Sequence, residues 1–220
     1  NMYMGTGADF FKPGTAEVSI NNEHGIATLN MMKALTEHSN PDFLTFNSDA
    51  TAALWEAGDL ALATMWGSRA GPILDGEGST EAITSTTVVA SAPSFAGGSR
   101  PSSTLWWDGF AIASNVSDMD AEASFIAMMN GISSEMVKAN NDLTVWLIDG
   151  YKAGPTAVGV SETAANGAAP YPMLPFMGTL HGAAGAELTD FLQGNESAEQ
   201  ALSDIEAAYT AAAIEKGFLN

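Results

Sequence analysis

The sequence contains no cysteine among its 220 residues. Disulfide bonds and thiolate metal sites are therefore excluded. Long apolar runs are missing as well, since no stretch approaches the roughly 18 consecutive apolar residues that a membrane-spanning helix needs. With 220 residues and a hydrophobic content of 46%, the chain can bury a full core.

The sequence also has few basic residues. Seven Lys and Arg stand against 26 Asp and Glu, which gives a formal net charge of −19 at pH 7. A field of this sign repels phosphate backbones and anionic lipid headgroups. The sequence therefore argues against nucleic acid and membrane-surface partners, and its charge is typical of a solvated acidic surface.

Motifs of known catalytic chemistry are the third absence. The three histidines, His24, His38 and His181, have no partner at the spacing of a zinc motif. The sequence also lacks a Gly-x-x-x-x-Gly-Lys phosphate loop and a Gly-x-Ser-x-Gly nucleophile turn. We therefore predict that the protein is not an enzyme and uses no metal or cofactor.

The residues that are present alternate between helix and strand patterns. Capping residues and apolar periodicity predict helices over 23–38, 49–57, 121–130, 133–140, 179–192 and 197–216. Apolar runs predict strands over 60–65, 88–92 and 105–113, and a short strand or turn over 3–11. Composition predicts a loop or short helix over 71–85 and a surface loop over 161–169. This alternation favours an α/β fold.

Two of the predicted strands carry aromatic and polar side chains at their ends. Trp66, Gly67 and Arg69 follow the strand at 60–65, and Trp107 and Asp108 lie in the strand at 105–113. Strand ends form ligand sites in open α/β sheets. An aromatic face suits the CH groups of a sugar, and carboxylate or guanidinium groups suit its hydroxyls. The same residue types would also suit a zwitterionic osmolyte with a quaternary amine.

Adjacent residues of a strand point to opposite faces, so only one of Trp106 and Trp107 can face a ligand. We predict that Trp107 does so and that Trp106 packs. Trp55 and Trp146 are assigned to packing.

Five short segments, taken together, carry a resemblance to a known family. They are GDLALATMWG at 58–67, VVASAP at 88–93, WWDGFAI at 106–112, AEASFI at 121–126 and GNESAEQAL at 194–202. Their order and spacing resemble the later part of the extracellular solute-binding proteins of bacterial ABC importers, of the sugar-binding, maltose-binding-protein-like type. The resemblance covers most of the 220 residues.

The resemblance implies an α/β fold of the type II periplasmic-binding-protein kind. Residues 1–84 would form the first part of the C-terminal lobe, 85–154 the hinge strands and a segment of the N-terminal lobe, and 155–220 the last part of the C-terminal lobe. The leader and the first half of the protein would lie outside this chain. Helix faces that pack against that half would then be exposed, and the expected set is Phe125, Met128, Met129 and Val137.

The function that the resemblance implies is transport of a small polar solute, a sugar or oligosaccharide in the first place. The protein would capture it in a cleft between the lobes, close by a hinge motion and deliver it to an ABC permease in the membrane. It would be periplasmic and, as a complete protein, monomeric. A binding protein for a zwitterionic osmolyte or polyamine-like solute stays open as an alternative, as does a carbohydrate-active enzyme.

The resemblance also implies a set of ligand-binding residues. Arg69, Asp108 and His181 stand where the family pattern has Trp, so this ligand surface would be more polar. Tyr171 lies in a Pro-rich loop that carries an aromatic residue in the family. The full predicted set is Trp66, Gly67, Arg69, Trp107, Asp108, Tyr171 and His181.

Overall fold

The computed structural model describes residues 1–95 and 97–220. About half of these residues are helical, and the strands among them form a small two-stranded sheet. The helices are α1 (Met2–Gly5), α2 (Glu23–Thr36), α3 (Ser48–Glu56), α4 (Ala70–Ile73), α5 (Glu81–Thr86), α6 (Asp118–Gly131), α7 (Ser134–Ala139), α8 (Val158–Ala165), α9 (Met177–Gln193) and α10 (Ala198–Glu215). The strands are β1 (Thr104–Leu105) and β2 (Ala169–Pro170), and short 3₁₀ turns cover Phe43–Thr45, Gly67–Arg69 and Pro155–Ala157.

The sheet is parallel, with Thr104 opposite Ala169 and Leu105 opposite Pro170. A mixed helical structure with a small parallel sheet is compatible with the predicted α/β class. The strands predicted at 60–65 and 88–92 are wrong, because both segments are irregular, and of the strand predicted at 105–113 only Leu105 is in β1. A strand needs a neighbour for its backbone hydrogen bonds, and residues 60–65 have no backbone partner in the described part of the chain.

The chain divides into two compact units. The first contains Asn1–Phe46, Pro93–Leu105 and Asn166–Asn220, and the second contains Asn47–Ala92 and Trp106–Ala165. Helices α1, α2, α9 and α10 and both strands belong to the first unit, and helices α3 to α8 belong to the second. The predicted lobe boundaries at 84 and 154 stay predictions.

Local capping fixes where several helices begin. The Asn22 Oδ1 atom accepts hydrogen bonds from the backbone N–H groups of His24 and Gly25 at the start of α2. Ser117 and Ser197 do the same at α6 and α10, where each hydroxyl accepts from the N–H three residues later. Because caps satisfy the free N–H groups of the first turn, these helices begin within a few residues of their predicted starts.

Asn22 also ties α2 to the chain before it. Its Nδ2 group donates to the Tyr3 hydroxyl at 2.9 Å and to the Ser19 carbonyl at 2.7 Å. The Tyr3 hydroxyl in turn donates to the Ser19 carbonyl at 2.8 Å, and burial is the main cause that raises the pKa of Tyr3. The cap is therefore part of a hydrogen-bonded corner at the edge of the core.

Replacement of Asn22 by alanine should lower the free energy of unfolding by about 1–2 kcal/mol, because both the cap and the corner are lost. The Asn22→Asp variant keeps the capping oxygen and loses only the Nδ2 donor, so its loss should be smaller. Urea denaturation followed by circular dichroism measures both. Equal losses in the two variants would show that the cap contributes nothing to stability.

The core of the first unit is formed by α2, α9 and α10 together with residues near the start of the chain. Tyr209 of α10 is fully buried, and its hydroxyl donates to the Ala16 carbonyl at 2.6 Å. Burial raises the pKa of Tyr209. The buried cluster is Tyr3, Phe11, Val18, Ile20, Leu29, Met177, Leu180, Phe191, Ala198, Ala201, Leu202, Ile205, Tyr209 and Ala213.

Helix α8 lies against an irregular segment in the second unit. A Cβ atom added at Gly159 would lie 2.8 Å from the Ala90 carbonyl oxygen, so the two backbones are in direct contact. One turn later the buried Thr163 hydroxyl accepts a hydrogen bond from the Ala92 N–H at 2.9 Å. The surface loop predicted at 161–169 is therefore wrong over 161–165, because helix packing overrides the small, polar composition of this stretch.

Helix α6 of the second unit contains no buried residue among those that the structure describes. Phe125 and Met129 are about half exposed, as predicted, and Met128 is intermediate in burial. Val137 of α7, which was also expected to be exposed, is fully buried, so that prediction is wrong.

Candidate ligand-binding site

Two tryptophans from distant parts of the sequence meet in the second unit. The ring centroids of Trp66 and Trp106 lie 5.6 Å apart, with their planes at 84° in an edge-to-face arrangement. Trp66 is 53% exposed and Trp106 is 40% exposed. Edge-to-face pairs are attractive by about 0.5–1.5 kcal/mol beyond the area that they bury. The pair therefore forms a fixed aromatic corner that still faces water, and we call it the Trp66–Trp106 corner.

Trp106 was predicted to pack, and the structure makes it the partner of Trp66. Trp107, the residue predicted to face a ligand, lies close to Gly109. A Cβ atom added at Gly109 would approach the Trp107 ring to 3.2 Å. Trp107 and Asp108 are both exposed. Residues 106–108 thus present two exposed indole side chains followed by an exposed carboxylate.

Gly67, a predicted ligand residue, packs closely against α8. A Cβ atom added there would lie 1.8 Å from a methyl group of Val160 in α8. The absence of a side chain allows the turn after Trp66 to approach α8 closely. The close packing at Gly67 therefore helps to fix the position of Trp66 relative to α8.

Arg69 ends the same turn and is held by the start of α3. Its Nη1 atom lies 2.9 Å from the Asp49 carboxylate, and its Nη2 group donates to the Ser48 hydroxyl at 3.2 Å. The side chains of Arg69 and Asp49 are 43% and 70% exposed. An ion pair this exposed contributes little to stability, so its importance lies in the charge and geometry that it presents to solvent.

Tyr171 and His181 form a separate pair in the first unit. The Tyr171 N–H donates to the Leu105 carbonyl at 3.0 Å, which continues the pairing of β1 and β2. The Tyr171 hydroxyl lies 3.4 Å from Nδ1 of His181 in α9. Burial raises the pKa of Tyr171. The sheet and α9 thus position both side chains.

The predicted ligand set is therefore distributed over both units. The second unit holds Trp66, Gly67, Arg69, Trp107 and Asp108, and the first unit holds Tyr171 and His181. Sequence reasoning missed three contributors, which are Trp106, Asp49 and Val160. The Asn-Ser-Asp sequence at 47–49 is a helix-start signal, but the sequence alone does not place this helix start beside Arg69.

An apolar groove of about 400 Å3 is also present in the second unit. Ser124 is the one polar side chain in its lining, and the others are Ala111, Ile112, Ala113, Val116, Ala127 and Met128. A polar solute needs several convergent hydrogen-bonding groups, which this groove does not supply. The Trp66–Trp106 corner with Arg69 and Asp49 has both an apolar aromatic surface and polar hydrogen-bonding groups.

Within 1–95 and 97–220, no cluster of three His, Asp or Glu side chains could hold a metal ion. Among the helices described, none is long and apolar enough to cross a membrane. No protein-family model matches the sequence, and no curated protein matches it either.

Proposed function

We propose that this protein is the solute-binding component of a bacterial ABC importer, and that it binds a small polar solute, a sugar or oligosaccharide. The proposal includes a fold of the type II periplasmic-binding-protein kind, a periplasmic location and delivery of the solute to a membrane permease. The order of the five resembling segments supports the class of protein. The Trp66–Trp106 corner supports the class of ligand.

The observation that carries the ligand class is the half-exposed aromatic corner. Exposed tryptophans are costly in water, and a fixed pair of them at right angles offers a face and an edge to a flat apolar surface. A sugar ring has such a surface in the CH groups of its faces. A ring stacked on one indole would have its hydroxyl rim directed toward neighbouring polar groups.

Polar groups of this kind come from the turn after Trp66, from α3 and from the residues after Trp106. Arg69 donates hydrogen bonds, and the exposed Asp49 and Asp108 carboxylates accept them. Charge-assisted hydrogen bonds to hydroxyls are stronger than neutral ones, and they fix orientation. Apolar and polar side chains suited to recognition thus occur in one unit, as binding of a small polar solute requires.

The test is titration calorimetry of the 220-residue chain against glucose, galactose, maltose and cellobiose. Saturable binding of at least one of them is expected. Trp66→Ala should weaken that binding by about 1–2 kcal/mol, or roughly tenfold, because a stacking face is lost. Trp66→Phe keeps a ring and should lose less.

The matched control is Trp146→Phe. Trp146 lies in the same unit, and its Nε1 group donates to the Asn140 carbonyl at 3.0 Å. Its replacement should leave solute affinity unchanged. No binding of any of the four sugars, or equal effects of the Trp66 and Trp146 variants, would contradict the proposal. Incubation of the bound sugar with the protein and analysis of products tests the enzyme alternative, and release of a new sugar would favour it.

A further inference from the structure

We infer that Asp49 sets the charge class of the solute, so that the surface beside Trp66 selects neutral polar solutes over anionic ones. The inference rests on the proposed function and deepens it. Asp49 lies outside the predicted ligand set. The observation behind it is the ion pair between Arg69 and Asp49.

Arg69 and Trp66 stand at the two ends of one turn. The Arg69 N–H donates to the Trp66 carbonyl at 2.9 Å, and the 3₁₀ turn covers Gly67–Arg69. In a 3₁₀ turn, residues three positions apart come to the same side. Trp66 and Arg69 are therefore joined through the backbone of one turn, and we expect a solute that stacks on Trp66 to come close to Arg69.

The two terminal nitrogens of that guanidinium group are already engaged. Nη1 pairs with Asp49 and Nη2 donates to Ser48, and both partners lie in the first turn of α3. The carboxylate of a solute would have to use the remaining N–H groups of Arg69 or displace one of these partners. It would then lie within reach of the Asp49 carboxylate, and two like charges at such a distance repel.

The surrounding charge gives an anion no compensation. The second unit contains fourteen acidic residues and three basic ones, which are Arg69, Lys138 and Lys152. The field of the unit therefore repels anions, and the one base beside Trp66 is neutralised by Asp49.

A neutral hydroxyl, in contrast, can find both a hydrogen-bond donor and a hydrogen-bond acceptor at this ion pair. A guanidinium group has five N–H donors, and the contacts to Asp49 and Ser48 leave others available. The 70% exposed Asp49 carboxylate has acceptor positions that remain open to solvent. A hydroxyl group can accept from Arg69 and donate to Asp49 at once, and no net charge needs to be matched.

The experiment compares neutral and acidic forms of the same sugar. Calorimetric affinities are measured for glucose and glucuronate, for galactose and galacturonate, and for glycine betaine, in the unaltered chain and in Asp49→Asn. The ratio of acid to neutral affinity should rise roughly tenfold in Asp49→Asn, because the freed guanidinium group gains a charge-assisted partner. The gain should disappear when Arg69→Gln is added to Asp49→Asn.

Asp59→Asn is the matched control. It makes the same change of charge just beyond the other end of α3, about 14 Å along the nine-residue helix and outside the Debye length of about 8 Å at physiological salt. This variant should leave the ratio unchanged. Circular dichroism of each variant verifies that α3 is still formed.

The outcomes separate the inference from the function on which it rests. If the unaltered chain binds neutral sugars and Asp49→Asn does not change the ratio, the inference is overturned and the proposed function stands. If glycine betaine or a uronic acid binds the unaltered chain more tightly than every neutral sugar, the inference is overturned and the solute class is corrected. If nothing binds, both fall.

Discussion

Replacement of Tyr209 by alanine is expected to lower the free energy of unfolding of the first unit by about 4 kcal/mol. The side chain is fully buried at the middle of α10 and contacts the aromatic ring of Phe11 at a centroid distance of 5.7 Å. Removal of a buried aromatic ring typically costs about 3–5 kcal/mol, because contacts are lost and a cavity is left. Urea denaturation followed by circular dichroism at the helix band measures the loss.

Tyr209→Phe separates the ring from its hydroxyl. The phenylalanine keeps the packing and loses the hydrogen bond to the Ala16 carbonyl, which would then be buried without this partner. A loss of about 1–2 kcal/mol is expected for that variant. If alanine and phenylalanine cost the same, the ring does not hold α10 against the start of the chain, and the account of this core is incorrect.

Replacement of Gly67 by alanine is expected to destabilise the second unit by about 3 kcal/mol, at the upper end of the range for overpacking. The new Cβ atom would lie 1.8 Å from a methyl group of Val160. Val160 is β-branched and lies on a helix, so its side chain has one strongly preferred rotamer, and turning it aside costs free energy. Either the turn after Trp66 or α8 has to move.

A double variant tests that explanation. Val160→Ala removes the obstructing methyl group, so Gly67→Ala should cost much less in a Val160→Ala background than alone. Gly131→Ala is the control in the same unit, because a Cβ atom added at Gly131 meets nothing within 4 Å. Thermal denaturation compares all four proteins. Additive losses from Gly67→Ala and Val160→Ala would contradict the contact between the turn and α8.

The helices could be predicted from the sequence because their signals are local. Asn22 and Ser197 each bond to an N–H within three residues, so the information about where α2 and α10 begin is contained in a few neighbouring positions. Strands depend on partners that are distant in sequence. The apolar run at 60–65 has the composition of a strand, yet its backbone has no neighbour to pair with in the residues described.

Helix α8 also could not be predicted from the sequence, because it depends on contacts with distant residues. Its residues are small and polar, and by composition they indicate a loop. What holds them in a helix is the contact of Gly159 with Ala90 and the hydrogen bond between Thr163 and Ala92, about 70 residues away. Contacts over such separations leave no periodic trace in a single sequence.

The candidate site was predictable in its residue types and less so in its pairings. Trp66 and Arg69 were selected because an aromatic and a charged residue follow an apolar run. That Trp106 rather than Trp107 meets Trp66, and that Asp49 neutralises Arg69, depends on tertiary packing. Alternation along a strand assigned Trp106 and Trp107 to opposite faces, and that argument lost its basis because the segment is not a strand.

The edge-to-face contact of Trp66 and Trp106 has a spectroscopic consequence. Two indole chromophores with centroids 5.6 Å apart and planes at 84° are close enough for their electronic transitions to mix. Mixed transitions in skewed planes give paired circular-dichroism bands of opposite sign, which vanish when either chromophore is removed. The second unit thus has an intrinsic circular-dichroism signal of its own. A ligand that inserts between the two indoles would change the splitting of these bands, so its binding could be followed without an added dye.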